Sequence, residues 1–291
     1  MSKDTEQVWT VVSMLEWATT FFSEKKVDSP RLSIEWLIAD VLDIKRLDIY
    51  LQYDRPFSRQ ELNELRPLIK RRANHEPLQY ITGRTDFMGI PITVNKSVLI
   101  PRQETEQLIE IILKTSAFSQ TQKCNVLDIG TGSGCIPIAI KSFRPEWSCT
   151  AIDISEDALV VARENAQINN LNINFHHCDL NKILNNKVIA DSDWDIIVSN
   201  PPYITFEEKE SLDPQVVNHE PALALFDKDP LSLYEKIASF AASKKAELYL
   251  ECNDKLTPDI LSMIEQYYID SKIVSDLDGN PRFLIALNSS K

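Results

Sequence analysis

Only six glycines occur in this 291-residue chain, and three of them, Gly130, Gly132 and Gly134, fall within five consecutive positions. They follow an apolar run that reads as a strand, Asn125–Ile129, and precede a second apolar run, 136–140, that reads as a helix. Residues without a Cβ allow a tight turn and let a ligand touch the backbone. The helix start behind the turn offers free N–H groups to a carboxylate or phosphate. A bare strand-to-helix turn is the plain alternative. The spacing excludes two familiar phosphate loops. A G-x-G-x-x-G dinucleotide turn needs glycine where Cys135 stands, and no G-K-[ST] follows.

From about Thr105 onward, helical stretches alternate with short apolar strands. The strand candidates are 125–129, 148–153, 173–176, 194–199, 246–251, 273–277 and 283–287, with helices such as 155–168 and 231–242 between most of them. Alternation of this kind predicts an α/β fold with a mostly parallel sheet covered on both faces. Only Asp278-Gly279-Asn280-Pro281 separates the last two strands, so they should form an antiparallel hairpin.

Ahead of this domain (105–291), residues 79–104 read as a linker with a short hairpin, 85–88 and 90–94 around Gly89. Residues 1–78 read as a small helical module. In that module Ser29-Pro30 should cap a helix carrying the stripe Ile34, Leu37, Ile38, Val41 and Leu42. Ser58 with Glu61 spells a capping box, and Pro67 is expected to kink or shorten the helix behind it. Trp17, Phe21, Phe22 and Trp36 read as helical core, and Lys70-Arg71-Arg72 as a solvated face.

Composition narrows the function. The net charge of −12 speaks against a protein that grips nucleic acid directly. No stretch of about 18 apolar residues suggests a membrane span. Met1–Glu6 is polar and acidic where a signal peptide is basic then apolar, so a cytoplasmic location is expected. Five scattered cysteines contain no C-x-x-C pair, so neither disulfides nor zinc are expected. His176-His177-Cys178-Asp179 reads as a solvated strand end, because adjacent strand residues face opposite ways. No metal is expected.

Chemistry concentrates at the ends of the predicted strands. Asp153 ends the strand after the glycine turn, where an acid in a nucleotide-binding α/β fold meets ribose hydroxyls; a cap for the helix starting near Ser155 is the plain alternative, though Ser155 can do that itself. Asp179 and Leu180 follow the next strand, where they could meet an adenine ring or simply end the strand. Asn200-Pro201-Pro202-Tyr203 follows a later strand. The prolines fix φ and remove N–H donors, leaving the Asn200 side-chain carbonyl and the Pro201 carbonyl as acceptors. Two acceptors can hold both N–H bonds of an amide-type NH₂ and aim its lone pair at an electrophilic methyl, with Tyr203 against the flat group. Alignment of this kind supplies up to about 7–11 kcal/mol of a barrier. A turn that merely ends a strand is the plain alternative.

The turn Asp128–Gly134 and the segment Asn200–Tyr203 resemble the cofactor loop and substrate motif of class I amino-methyltransferases. Arg71-Arg72 through Glu76-Pro77-Leu78-Gln79-Tyr80-Ile81-Thr82-Gly83, Val98-Leu99-Ile100-Pro101-Arg102-Gln103-Glu104-Thr105-Glu106, His219-Glu220-Pro221-Ala222-Leu223-Ala224-Leu225 and Asp276–Arg282 narrow the resemblance to the release factor glutamine N5-methyltransferases, over essentially the whole chain. The resemblance implies a Rossmann-like sheet of seven strands and S-adenosyl-L-methionine as cofactor. The implied substrate is the glutamine of the Gly-Gly-Gln motif in class I peptide chain release factors. It further implies that Gly130, Thr131, Gly132, Ser133 and Gly134 cradle the methionine part, Asp153 the ribose, and Asp179 and Leu180 the adenine. Asn200 and Pro201 would hold the amide beside the cofactor, Pro202 and Tyr203 would shape its slot, and the helical module would dock the partner. A monomer is expected, without direct nucleic-acid or membrane contact. The chain departs from the family at Asp227–Pro230 and Glu251–Lys255, which puts local loop shape in doubt. Glutamine methylation of a ribosomal protein and adenine-N6 methylation of nucleic acid are the alternative activities.

Overall fold

The computed structural model describes residues 8–118 and 122–287, so the polar Met1–Glu6 segment lies outside the described residues. It divides into two units with separate cores. One is the described part of Met1–Gly83 together with Asp213–His219; the other is the described part of Arg84–Leu212 and Glu220–Lys291.

The first unit is built on helices Val11–Glu24, Pro30–Leu42 and Arg59–Ala73. Leu15, Phe22, Ile34, Leu37, Ile38 and Leu65 are fully buried between them. Each such side chain contributes about 1.5–3 kcal/mol of transfer free energy. The capping box forms: Ser58 Oγ accepts from Glu61 N at 3.2 Å, and Glu61 Oε2 accepts from Ser58 N at 2.7 Å. Ser29 does not cap with its side chain. It sits at φ +46°, so Pro30 starts the helix while Ser33 Oγ donates back to Asp28 O. Pro67 does not shorten its helix, which runs six residues further to Ala73.

The aromatic residues split. Phe22 is core, whereas Trp17 and Trp36 stay about two-fifths exposed, Trp17 stacking on Phe21 at 5.3 Å. The arginine pair is not a solvated face. Arg72 is buried and donates to Ser33 Oγ, Glu76 O and Gln215 Oε1, the last on the short helix Pro214–His219. Arg71 holds both oxygens of Glu76.

In the second unit, β1 (Arg84–Phe87) and β2 (Ile90–Thr93) form an antiparallel hairpin. Met88 and Gly89 both have positive φ, as a two-residue turn matched to strand twist requires. The main sheet holds β3 (Asn125–Ile129), β4 (Ser148–Asp153), β5 (Asn174–His177), β6 (Ile196–Ser199), β7 (Glu247–Glu251), β8 (Asp270–Ser275) and β9 (Pro281–Leu287). Their order is β5-β4-β3-β6-β7-β9-β8. The first five are parallel, while β9 runs antiparallel to both neighbours, giving the mostly parallel sheet and closing hairpin that the sequence predicts. The central strands are buried along nearly their whole length, which explains their unbroken apolar runs. All five cysteines are buried and free. No helix among the described residues is long and apolar enough to cross a membrane.

Candidate active site at the carboxyl edge of the sheet

The strand order reverses direction between β3 and β6, which are neighbours although β4 and β5 lie between them in sequence. Crevices at such a reversal, outside the carboxyl ends of the strands, are where open α/β sheets hold ligands. Ile129 and Ser199 are register partners at the ends of β3 and β6, and Ser199 Oγ donates to Ile129 O at 2.6 Å. Gly130 and Asn200 therefore leave the sheet side by side, one interstrand spacing of about 4.8 Å apart. Along the same edge stand Asp153 ending β4, Asp179 beyond β5, and Glu251 ending β7.

These ends surround a cavity of about 460 Å³, lined by Gly130, Thr131, Gly132, Ser133, Asp153, Asp179, Leu180, Asn200, Pro201 and Pro202. Its size suits a small organic ligand. Ten of the twelve residues singled out from sequence thus share one wall system. Gly134 and Tyr203 are not among its lining residues. Gly134 caps the helix Cys135–Phe143 at φ +80°, and a Cβ there would lie 3.1 Å from Ala162 Cβ. Its glycine answers to conformation and packing. Tyr203 turns its hydroxyl away, donating to Glu251 Oε1 at 3.4 Å.

The turn is held from both sides. Gly130 N and Thr131 N donate to Ile152 O, and Gly132 N donates to Asp153 Oδ2 at 2.8 Å. Asp153 Oδ1 accepts from Ser155 N at 2.8 Å, while Ser155 itself caps the helix Glu156–Ile168. Burial pushes the Asp153 carboxyl above its ordinary value, although these N–H groups oppose the shift. Asp179 Oδ1 accepts from both the backbone and side-chain N–H of Asn181. His177 has a ring nitrogen 2.8 Å from Ile154 O.

Several further residues at the site carry no local signal that would give them a role from the sequence. Asp128 is fully buried in β3, and burial pushes its carboxyl up to about 7. Its two oxygens, with Thr131 Oγ1 and Ser133 Oγ, make no well-formed hydrogen bond among the described residues, although the nearby Thr131 hydroxyl opposes the rise. Unpaired buried polar atoms are costly unless something meets them. A charged residue inside an apolar strand was the available clue. Asn165 is fully buried on helix Glu156–Ile168; its amide exchanges hydrogen bonds with Thr93 and donates to Ser133 O, tying the hairpin to the glycine turn. Glu220 Oε1 accepts from Arg102 Nη2 at 2.6 Å, which pins the wall containing Pro221, Leu223 and Ala224 to the one containing Pro101.

The last missed group stands behind Asn200. Asn200 Nδ2 donates to Thr105 Oγ1 at 3.2 Å, and Thr105 Oγ1 donates to Glu251 Oε2 at 2.7 Å. Asn253, in the stretch where the chain departs from its relatives' pattern, donates from Nδ2 to Tyr203 O. At the other departure, Asp229 caps the helix Pro230–Ser243 by accepting from Ser232 N.

The glycine turn, the acids at successive strand ends and the Asn-Pro-Pro corner thus converge on one cavity. Comparison with known proteins agrees in kind. Residues 13–83 match the family described as the PrmC N-terminal domain, and residues 105–219 the methyltransferase small domain. A release factor glutamine methyltransferase of Chlorobaculum tepidum is 35% identical across 96% of this chain and 97% of its own length. One of Lactococcus lactis is 42% identical across 77% of this chain and 82% of its own. Among solved structures, the hMettl16 catalytic domain in complex with the MAT2A 3′UTR hairpin 6 shares the fold, with a TM-score of 0.52 at 18% identity over 74% of this chain and 80% of that one. With identity sustained through both units, the chain belongs to the release factor glutamine methyltransferase family.

Proposed function

We propose that this protein transfers a methyl group from S-adenosyl-L-methionine to the side-chain amide nitrogen of a release factor glutamine, and that this is the glutamine of the Gly-Gly-Gln motif in class I factors. The single observation that carries the reading is the shared cavity: the glycine turn after β3 and the Asn-Pro-Pro corner after β6 open into the same space from adjacent strand ends. The cofactor fits the residues present. Gly130, Thr131, Gly132 and Ser133 line the cavity wall, the buried Asp128 stands at the root of the same turn, and Asp153 keeps free lone pairs beside its two backbone bonds. Gly130–Ser133 would hold the amino-acid portion, Asp153 the ribose, and Asp179 with Leu180 the adenine. Bound there, the cofactor supplies an electrophilic methyl.

The chain's own part is alignment. Asn200 Oδ1 and the Pro201 carbonyl accept the two N–H bonds of the substrate amide, which turns its nitrogen lone pair towards the methyl. Pro201 and Pro202 keep that corner stiff, since neither can relax φ. Tyr203 supports the slot from behind through its bond to Glu251. The site needs no strong base, because the amide proton leaves once nitrogen carries the new bond. The helical unit is proposed to dock the protein substrate.

The test uses labelled cofactor with purified release factor in one reaction and DNA in another. Label should enter the release factor as one methyl on the tripeptide glutamine, read by mass spectrometry. Asn200→Ala should lower the rate by about 100-fold or more at unchanged melting temperature. Label in DNA, or in neither substrate, would overturn the reading.

A further inference from the structure

Asn200 can serve as an acceptor only if its amide presents oxygen, not NH₂, to the slot. Nothing in an Asn-Pro turn decides this, because the two ends of the amide have nearly the same shape. The decision lies in what the other end of the amide touches. It touches Thr105 Oγ1 at 3.2 Å, and that hydroxyl is 2.7 Å from Glu251 Oε2. A threonine hydroxyl owns a single proton. When Glu251 is a carboxylate it has no proton to give, so the Thr105 proton must point at Glu251. The lone pairs of Thr105 then face Asn200 and can pair only with its NH₂, which turns Oδ1 into the slot. When Glu251 is protonated it can donate to Thr105, whose proton is released to meet Asn200 Oδ1. The amide then turns over and presents NH₂ to an NH₂ substrate.

We propose that Thr105 and Glu251 are positioning residues that set which face of the Asn200 amide meets the substrate, and that the ionisation state of Glu251 switches this setting. The proposal rests on the amide-methylation reading above, and it adds Thr105 and a switching role for Glu251, to which that reading gives no part. The arrangement is well enclosed. Thr105 and Glu251 are both buried, and Thr105 alone of the two reaches the cavity wall. Polar and charged groups face Glu251 from several elements, the buried Cys135 thiol on helix Cys135–Phe143 among them. Glu104, next to Thr105 on helix Gln103–Thr115, and Arg282 on β9 act on its charge in opposite senses. The Tyr203 hydroxyl donates to Oε1, the Tyr234 hydroxyl to its backbone carbonyl, and the Cys252 thiol follows in sequence. Burial, outweighing Thr105, Arg282 and Tyr203, pushes the Glu251 carboxyl up to about 7, so both states lie within working reach.

Two measurements test this. The first is kinetic, with the full chain and release factor. Thr105→Val removes the hydroxyl at nearly constant volume and should lower kcat by about 100-fold. KM for the release factor should stay nearly in place, since one amide is a small part of a protein-sized contact. Thr105→Ser keeps the hydroxyl and should recover most of the rate. Wild-type kcat should rise with pH through about 7 and level off, and Glu251→Gln should remove that rise. The second measurement needs no turnover. The side-chain ¹⁵N–¹H signals of Asn200, identified by their loss in Asn200→Ala, should move with pH through the same range in the wild type and stand still in Glu251→Gln. The proposal is overturned if Thr105→Val keeps wild-type kcat, if Thr105→Ser is as poor as Thr105→Val, or if the Asn200 signals ignore Glu251. A wild type that methylates nothing while its Asn200 signals follow Glu251 would sink the functional reading and leave the switch standing.

Discussion

At the scale of single residues, visibility in sequence depends on whether a constraint is local. Gly130, Gly132 and Gly134 announce themselves because each has positive φ, a demand the backbone makes within its own peptide. What Gly134 is for was not legible, since its crowding comes from Ala162 on another helix. Gly134→Ala combines a left-handed backbone that costs about 1–2 kcal/mol with a Cβ that meets Ala162 at 3.1 Å. We expect at least about 2 kcal/mol of destabilisation by urea unfolding. Gly83→Ala, where a Cβ meets nothing within 4 Å, should lose only the backbone part. Equal losses at the two positions would refute the packing argument. Thr105 and Glu251 show the opposite case. They stand 146 residues apart, and neither residue type signals the other.

At the scale of elements, periodicity located most helices and strands, and local hydrogen bonding refined some of their ends. Ser58 and Glu61 were readable because a capping box closes within four residues. Glu35 was not. It lies buried on an apolar helix face, with Arg31 Nε at 2.9 Å, Arg46 Nη1 at 2.7 Å and the Tyr50 hydroxyl at 2.6 Å. Burial alone would raise its pKa, yet the Tyr50 and arginine hydrogen bonds outweigh burial and lower it. Glu35→Ala takes a buried anion from two arginines that stay partly exposed and so remain solvated, and should cost the helical unit about 2–3 kcal/mol. Ser58→Ala should cost about 1 kcal/mol. Denaturation of both variants checks the order; a larger loss at Ser58 would mean the Glu35 cluster holds little together.

At the scale of the whole molecule, buried carboxyls set a pH dependence. Asp128 and Glu251 have ordinary values near 3.8 and 4.5, and both are raised by burial to about 7 in the folded chain. The folded state therefore binds more protons than the unfolded state between those limits. Stability from these two groups is full below about 4 and is lost as pH rises through about 7, on the order of a few kcal/mol in total. Glu61 runs the other way. Held at about 2 chiefly by its hydrogen bond from Arg55, it contributes above its ordinary 4.5 and fades as pH falls towards 2. Urea midpoints of the ligand-free chain should thus decline between pH 4.5 and 7.5, and Asp128→Asn should flatten the decline while weakening cofactor binding. A decline that survives Asp128→Asn and Glu251→Gln together would assign it to other groups.

By itself the sequence determined the glycine turn, the alternation of strands with helices, the closing hairpin and the stiff Asn-Pro-Pro corner. Each of these is written in residues a few positions apart, through φ, missing N–H groups or a repeat of side-chain burial. Only the tertiary structure decided that the β3 and β6 ends are neighbours, that Arg102 meets Glu220, that Asn165 ties Thr93 to Ser133, and that Asn200 leans on Thr105 and Glu251. Strand order arises from how crossover helices pack across the sheet, and a hydrogen bond between distant residues leaves no periodic trace in the chain that makes it.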